Sequence, residues 1–310
     1  MAEAAFDVVV CGSLHLDVMV DAPRLPHLDE TLPGTGWGFA CGGKGGNQAV
    51  ASARLGARTA MIGRIGDDDF GRRLTAHLLQ AGADASRVTT DAQAGSGMSV
   101  AIVDEAGDYG AVIVSGANLE LSPDDSVESW HGLGSGRVLT LQNEIPAAAN
   151  VAIASAARQS GATVIWNAAP ARDRSDEMLG LADLIVVNRI EAEAMGAGEV
   201  RSVDRAVAAA RRLADDRRVA IVTLGGHGLV IAEPDRTPAH IAASPVTVRS
   251  SHGAGDVFVG ALSMQVAEGR TVVDAARFAG ATAALHVSAD PSTRTTPSAQ
   301  EVEAFLSAGK

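Results

Sequence analysis

Short, unbroken apolar runs punctuate the chain: Phe6-Asp7-Val8-Val9-Val10, Val138-Leu139-Thr140-Leu141, Ala162-Thr163-Val164-Ile165-Trp166, Leu184-Ile185-Val186-Val187 and Val219-Ala220-Ile221-Val222-Thr223-Leu224. They lack polar alternation, which is the pattern of strands buried on both faces. Between them lie Ala-rich stretches that read as helices. Gln48 to Leu55 stops at Gly56, and Ala147 to Gln159 stops near Gly161. Asp204 to Ala214 carries Arg211 and Arg212 near its C-terminal end. Glycine after a helix and cations in its last turn suit the exposed carbonyls there. Alternation of this kind predicts βαβ units and a mostly parallel sheet.

Two segments break the alternation. Asp17 to Ala40 holds three prolines and few helix formers. Ser96 to Val114 reads as two strands, Met98–Val103 and Tyr109–Val114, joined by a turn at Asp104 to Asp108. Together they predict a small antiparallel sheet inserted into the α/β body. The expected division is a body of residues 1–14, 41–95 and 116–310, and a lid of residues 15–40 and 96–115. Such a sheet can cover a site or pair with a second subunit. No internal repeat or low-complexity tract is present.

Composition narrows the class. A chain of 310 residues with 46% hydrophobic and only 3% aromatic residues can fill a large core with small aliphatic side chains. The net charge of −12 argues against a nucleic-acid surface, which needs a basic face. Only Cys11 and Cys41 are present, with no metal-ligand spacing, which suits a reducing compartment. No charged-then-apolar leader and no apolar run near 18 residues is found, so a cytoplasmic protein with no membrane partner is expected.

The chemistry gathers in a few polar words at the ends of the apolar runs. Gly253-Ala254-Gly255-Asp256 precedes the run Val257 to Leu262. A small-residue turn that opens a helix leaves N–H groups free to hold an anion, and a carboxylate there can act as a base. Gly42-Gly43-Lys44-Gly45-Gly46-Asn47 lies about 200 residues upstream. It is not a Walker A loop, because Gly45 follows Lys44 where that motif needs Ser or Thr. Asp17 follows the first strand and can accept from two hydroxyls of a polyol, or serve as a turn residue. Asn188 and Glu191 follow the Leu184–Val187 run. They can form a capping box, or orient the waters of Mg2+ beside phosphates, or both. Thr223 to Gly228 reads as a glycine-rich nucleotide contact or as a hairpin. No GxGxxG follows the first strand, where Gly12 leads into Ser13-Leu14-His15, so a dinucleotide-binding oxidoreductase is discounted.

In this order the words resemble the ribokinase branch of the PfkB carbohydrate kinases, from about Val8 to Phe305. Gly42 to Val50 is similar to the first family signature and Gly253 to Asp256 to the second. Asn143-Glu144, Asn167 to Ala171, Asn188 to Glu193 and Thr223 to Gly228 fall where ribokinases carry similar words. The resemblance implies a three-layer α/β sandwich with an inserted β lid. It implies ATP-dependent phosphorylation of a primary sugar hydroxyl, first of all that of D-ribose. Kinases of a nucleoside or another monosaccharide share the fold. Trp37, Phe39 and Tyr109 are the aromatic candidates for a nucleobase slot. A sugar sensor without catalysis is disfavoured by the retained Asp256, Asn188 and Glu191.

The same resemblance implies roles. Asp256 would be the base, with Gly253, Ala254 and Gly255 forming the anion hole. His15, Asp17, Gly43, Lys44, Asn47, Glu144 and Asp256 would hold the sugar. Asn188, Thr223, Gly225, Gly226, Gly228 and Gly255 would line the ATP site, with Glu191 in the Mg2+ network through water. The lid would clasp a second subunit in a homodimer. There are three departures. His15 stands where ribokinases usually have Asn, which changes the sugar contacts. The second signature usually opens Asp-Thr, and here Ser250-Ser251 stand instead. Ser288-Ala289-Asp290-Pro291-Ser292 lacks the Arg-Lys-Gly-Ala type of sequence. Both of these last stretches would form a potassium site, and loss of the Asp removes a hard anionic oxygen. Weak or absent potassium activation is therefore expected.

Overall fold

A computed structural model describes residues 4–104, 109–290 and 293–308. In chain order the elements are β1 (Phe6–Cys11), β2 (His15–Asp21), β3 (Gly36–Gly42), α1 (Lys44–Arg54), β4 (Thr59–Gly66), α2 (Asp69–Gln80), β5 (Asp84–Asp91), β6 (Gly97–Val103), β7 (Tyr109–Val114), α3 (Pro123–Gly132), β8 (Gly136–Leu141) and α4 (Ala147–Gln159). They continue with β9 (Thr163–Asn167), α5 (Asp176–Leu181), β10 (Leu184–Asn188), α6 (Arg189–Ala194), α7 (Val203–Leu213), β11 (Val219–Thr223), β12 (Leu229–Ala232), β13 (Ala239–Ile241), α8 (Ala254–Ala267), α9 (Val272–Ser288) and α10 (Ala299–Ala308).

The larger sheet runs β13-β12-β11-β10-β9-β8-β1-β4-β5. It is parallel from β11 through β5, and antiparallel only at the β12 and β13 edge. Its central strands alternate between two cores, as the period of a strand requires. Val9, Cys11, Leu139 and Leu141 pack with residues of α3 to α7 on one face. Val8, Val10, Met61 and Ile165 pack with α1, α2, α8, α9 and α10 on the other. The result is the expected three-layer sandwich. No helix among the described residues is long and apolar enough to cross a membrane.

The second sheet runs β3-β2-β6-β7. The expectation of an antiparallel sheet is corrected here: β2 and β6 run parallel, and only the β2/β3 and β6/β7 pairs are antiparallel. The parallel pair arises because α1, β4, α2 and β5 separate β2 from β6 and return the chain in the same direction. The turn predicted at Asp104 to Asp108 lies outside the described residues beyond Asp104. A second correction concerns α1, which starts at Lys44 rather than at Gln48.

Candidate active site

The early start of α1 explains the glycine cluster. Gly43 precedes the helix at φ 83, a left-handed value. A Cβ on Gly45 would stand 2.7 Å from the backbone carbon of Gly12. The first turn of α1 therefore presses directly on the segment after β1, and Gly46 N–H donates to the Ser13 carbonyl at 2.9 Å. This close approach brings the side chains of Asn47 and Gln48 to the C-terminal edge of the parallel strands, where open α/β sheets gather ligands.

Asp256 sits in the first turn of α8, whose N-cap is Gly253 at φ 74. The side chain is held from two sides. Asn47 Nδ2 donates to its Oδ2 at 3.0 Å. Gln48 Nε2 donates to its Oδ1 at 3.1 Å. Gln48 is fixed in turn: its Nε2 also reaches Asn167 Oδ1 at 3.1 Å, and its Oε1 accepts from Gln142 Nε2 at 2.7 Å. Asp256 is 8% exposed. Burial raises its pKa above the ordinary value of 3.8, with Glu144 adding to the rise, while Lys44 and the amides of Asn47 and Gln48 oppose it. The predicted sites did not include Gln48 or Gln142 as participants. Their only sequence signal was amides placed within or after the glycine and strand-end words.

A second polar group surrounds Glu144, just past β8. Its Oε2 accepts from the Ser13 hydroxyl and from the Lys44 N–H at 3.0 Å. His15 Nδ1 lies 3.9 Å from the same oxygen. His15 Nε2 is buried and has no hydrogen-bond partner. Asp17, on β2, accepts from the Ser99 hydroxyl at 2.5 Å, so the small sheet carries its own polar pair on the face shared with His15.

Two connected hollows meet at Asn188, Thr223 and Gly255. The outer cleft, about 520 Å³, is lined by Arg189, Ile190, Val203, Leu224 and Gly225 among others. The inner one, about 140 Å³, reaches Lys44, Glu191, Gly253, Ala254 and Asp256. Gly226 and Gly228 do not line either. Gly228 turns the β11/β12 hairpin at φ 84, where an added Cβ would meet the Ile241 carbonyl at 1.9 Å, so packing alone demands glycine there. Trp37 and Phe39 do not line the hollows either. They pack edge to face, Phe39 against Phe70 as well, with the Arg73 guanidinium over its ring.

The Asn188–Glu191 pair forms the full capping box of α6. Glu191 Oε2 accepts from Asn188 N–H at 2.7 Å, and Oε1 from Asn188 Nδ2 at 2.8 Å. Burial raises the Glu191 pKa above its ordinary 4.5, against the lowering effects of the Asn188 N–H and Lys44. Among the described residues no group of three or more His, Cys, Asp or Glu could hold a bare metal ion. One buried carboxylate with lone pairs to spare suits a hydrated Mg2+ that arrives with phosphates, since Mg2+ keeps several waters and leans on few carboxylates.

The chain matches the pfkB family carbohydrate kinase over residues 5–299. It is 33% identical to the ribokinase of Haemophilus influenzae over 300 residues, covering 96% of this chain and 98% of that one. It is 35% identical to the ribokinase of Mus musculus over 268 residues, covering 86% of this chain and 83% of the relative. The solved structure of Arabidopsis thaliana ribokinase complexed with ribose and ATP superposes with a TM-score of 0.88 at 28% identity, covering 99% of both chains. A buried carboxylate at the glycine-capped start of α8, set against the amides of α1, is thus found in a chain that belongs to the PfkB family of ATP-dependent carbohydrate kinases.

Proposed function

We propose that the protein transfers the γ-phosphate of MgATP to the primary hydroxyl of D-ribose, giving ribose 5-phosphate and ADP. The observation that carries this reading is the position of Asp256, in the inner hollow and in the first turn of α8, next to Gly255 where the nucleotide-sized cleft joins it. The relatives named ribokinase and the structure holding ribose and ATP support the choice of sugar.

The Asp256 carboxylate takes the proton of the hydroxymethyl group as its oxygen bonds to the γ-phosphorus. The bond to the β-bridging oxygen breaks, and its electrons leave with ADP. A positioned base of this kind is worth about 10^2 to 10^4-fold in rate. The N–H groups of Gly255 and Asp256, behind the Gly253 cap, hold the charge of the moving phosphoryl group, while the Ala254 N–H donates to the Ser251 carbonyl at 3.3 Å. Lys44 adds a cation beside Asp256 and Glu191. Asp17, paired with Ser99, faces the sugar from the lid with His15. Gly43, Asn47 and Glu144 close on it from the body. Asn188, Thr223, Gly225 and Gly255 line the ATP cleft, with Gly226 and Gly228 shaping the turn behind it. Asn188 and Glu191 would hold the water shell of Mg2+, which when bound neutralises phosphate charge.

The small sheet acts as the lid and as the homodimer contact. Trp37 is 70% and Val112 69% exposed on it, beside Val100 and Val114, an apolar surface that a second copy would cover. Two free cysteines, one fully buried, suit a cytoplasmic setting. The test is ADP formation with Mg2+ and ATP over D-ribose, other pentoses, hexoses, sugar phosphates and nucleosides. Dominant turnover of D-ribose is expected. Dominance of another compound would overturn the choice of sugar, and silence with intact ATP binding would overturn catalysis.

A further inference from the structure

The loop that feeds the anion hole is tied down from behind by two side chains of the protein itself, one of them a guanidinium. Ser250, Ser251 and His252 lead straight into the Gly253 cap of α8. The Ser250 carbonyl accepts from Arg294 Nη1 at 3.0 Å. The His252 carbonyl lies 3.2 Å from His286 Nε2, which must donate there. The N–H groups of Arg249 and Ser250 donate to the Val287 carbonyl at 2.8 and 3.3 Å. The nearby Asp290 carboxylate faces the Arg249 guanidinium at 3.5 Å.

A monovalent cation of the kind implied by the ribokinase resemblance does not fit this set. Such an ion needs free carbonyl and carboxylate oxygens. Here the Ser250 and His252 carbonyls already accept from nitrogen donors, and Ser250-Ser251 stand in place of the usual acidic opening. Arg294 is partly buried, and burial lowers its pKa from the ordinary guanidinium value, yet a guanidinium stays charged in a protein. A second cation brought beside it meets repulsion in a setting that screens it poorly.

We infer that Arg294 takes the place of a monovalent cation as the positive support of the anion hole. Its charge lies on the carbonyl side of the Ser250–Ser251 peptide, just ahead of the Gly253 cap. There it fixes the segment that aims the N–H groups at the start of α8 toward the transferring phosphoryl group. Arg294 touches no reacting atom and is a positioning residue. The inference rests on the kinase reading of the site, and its test separates the two.

The experiment compares wild type, Arg294→Ala and Arg294→Lys in potassium chloride, cesium chloride and tetramethylammonium chloride at equal ionic strength. Melting temperature, ATP affinity and turnover are followed for each. Wild type should keep kcat within about twofold, and its melting temperature unchanged, whichever cation is present. Arg294→Ala should lose about tenfold in kcat with the acceptor KM little changed, less than the ~10^2 to 10^3-fold for removing an anion-hole donor outright. Arg294→Lys, which keeps the charge, should recover most of that loss, and added guanidinium should partly rescue Arg294→Ala. A several-fold rise in wild-type kcat or a clear rise in melting temperature specific to potassium would overturn the inference. So would an Arg294→Ala enzyme with wild-type kcat. If Arg294→Ala does not fold, the wild-type cation series and Arg294→Lys still decide. If no acceptor is turned over, the kinase reading fails while the melting comparison still tests the cation.

Discussion

Gln48 and Asp256 are 208 residues apart in sequence, and the amide of one donates to the carboxylate of the other at 3.1 Å. The same amide nitrogen reaches Asn167, and its oxygen is held by Gln142. One side chain thus links α1, β9, the end of β8 and the carboxylate proposed as the base. Replacement Gln48→Leu removes a hydrogen bond to a charged group, worth about 1.5 kcal/mol or more. It also leaves the Gln142 amide and the Asn167 carbonyl oxygen unpaired. We expect kcat/KM for the sugar to fall roughly tenfold or more, with a lowered melting temperature in the same preparation. Steady-state kinetics beside a thermal melt checks this.

The pH profile follows from the same group. Burial holds the Asp256 pKa above 3.8 in the free enzyme. A base works only when ionised, so kcat/KM should be full at higher pH and fall as pH drops through that raised value. Lys44 lowers the Asp256 pKa. Lys44→Met should therefore move the acid limb to higher pH, besides weakening sugar binding. A limb that stays in place or moves down in the Lys44→Met profile contradicts the assignment of that limb to Asp256.

Some of this was legible in the sequence and some was not, for identifiable reasons. The apolar runs from Val138 and Leu184 became β8 and β10 within two residues, because strands buried on both faces leave no other reading. Asp256 stood out because glycines and a carboxylate open an apolar helix together. The start of α1 did not, because four glycines in its neighbourhood argue against helix by propensity. What overrode propensity is the contact with Gly12 and Ser13, a long-range fact. The β5 segment Asp-Ala-Ser-Arg-Val-Thr-Thr-Asp is mostly polar because it is an edge strand. Arg294 carried no local word at all, Gln142 only its place after a strand-end run, and the fold alone gives them neighbours.

The crossing of α1 and α8 is tight at Gly260. A Cβ there would lie 2.6 Å from the Ala51 Cβ and 2.7 Å from the Gln48 carbonyl oxygen. Ser52 seals the crossing by donating to the Gly260 carbonyl at 2.9 Å. Gly260→Val should destabilise the fold by about 1–3 kcal/mol through overpacking. Because α1 also carries Asn47 and Gln48, kcat should fall too. Chemical denaturation gives the first number and kinetics on the folded fraction the second.

The exposed apolar face of the small sheet predicts association. Val112→Lys places a charge on the edge strand β7, within the surface formed with Val100 and Val114. Sedimentation should find a dimer for wild type and a monomer for Val112→Lys. The monomer should bind sugar more weakly through a less settled lid. A wild-type monomer at all working concentrations contradicts the homodimer.

The central claim is that Asp256 is the base of a sugar kinase. Its most direct test is Asp256→Asn, with phosphorylated ribose measured against time and ribose affinity measured separately by calorimetry. The account predicts a loss of at least ~100-fold in kcat with ribose affinity changed only a few-fold. Turnover by Asp256→Asn within a few-fold of wild type would contradict it.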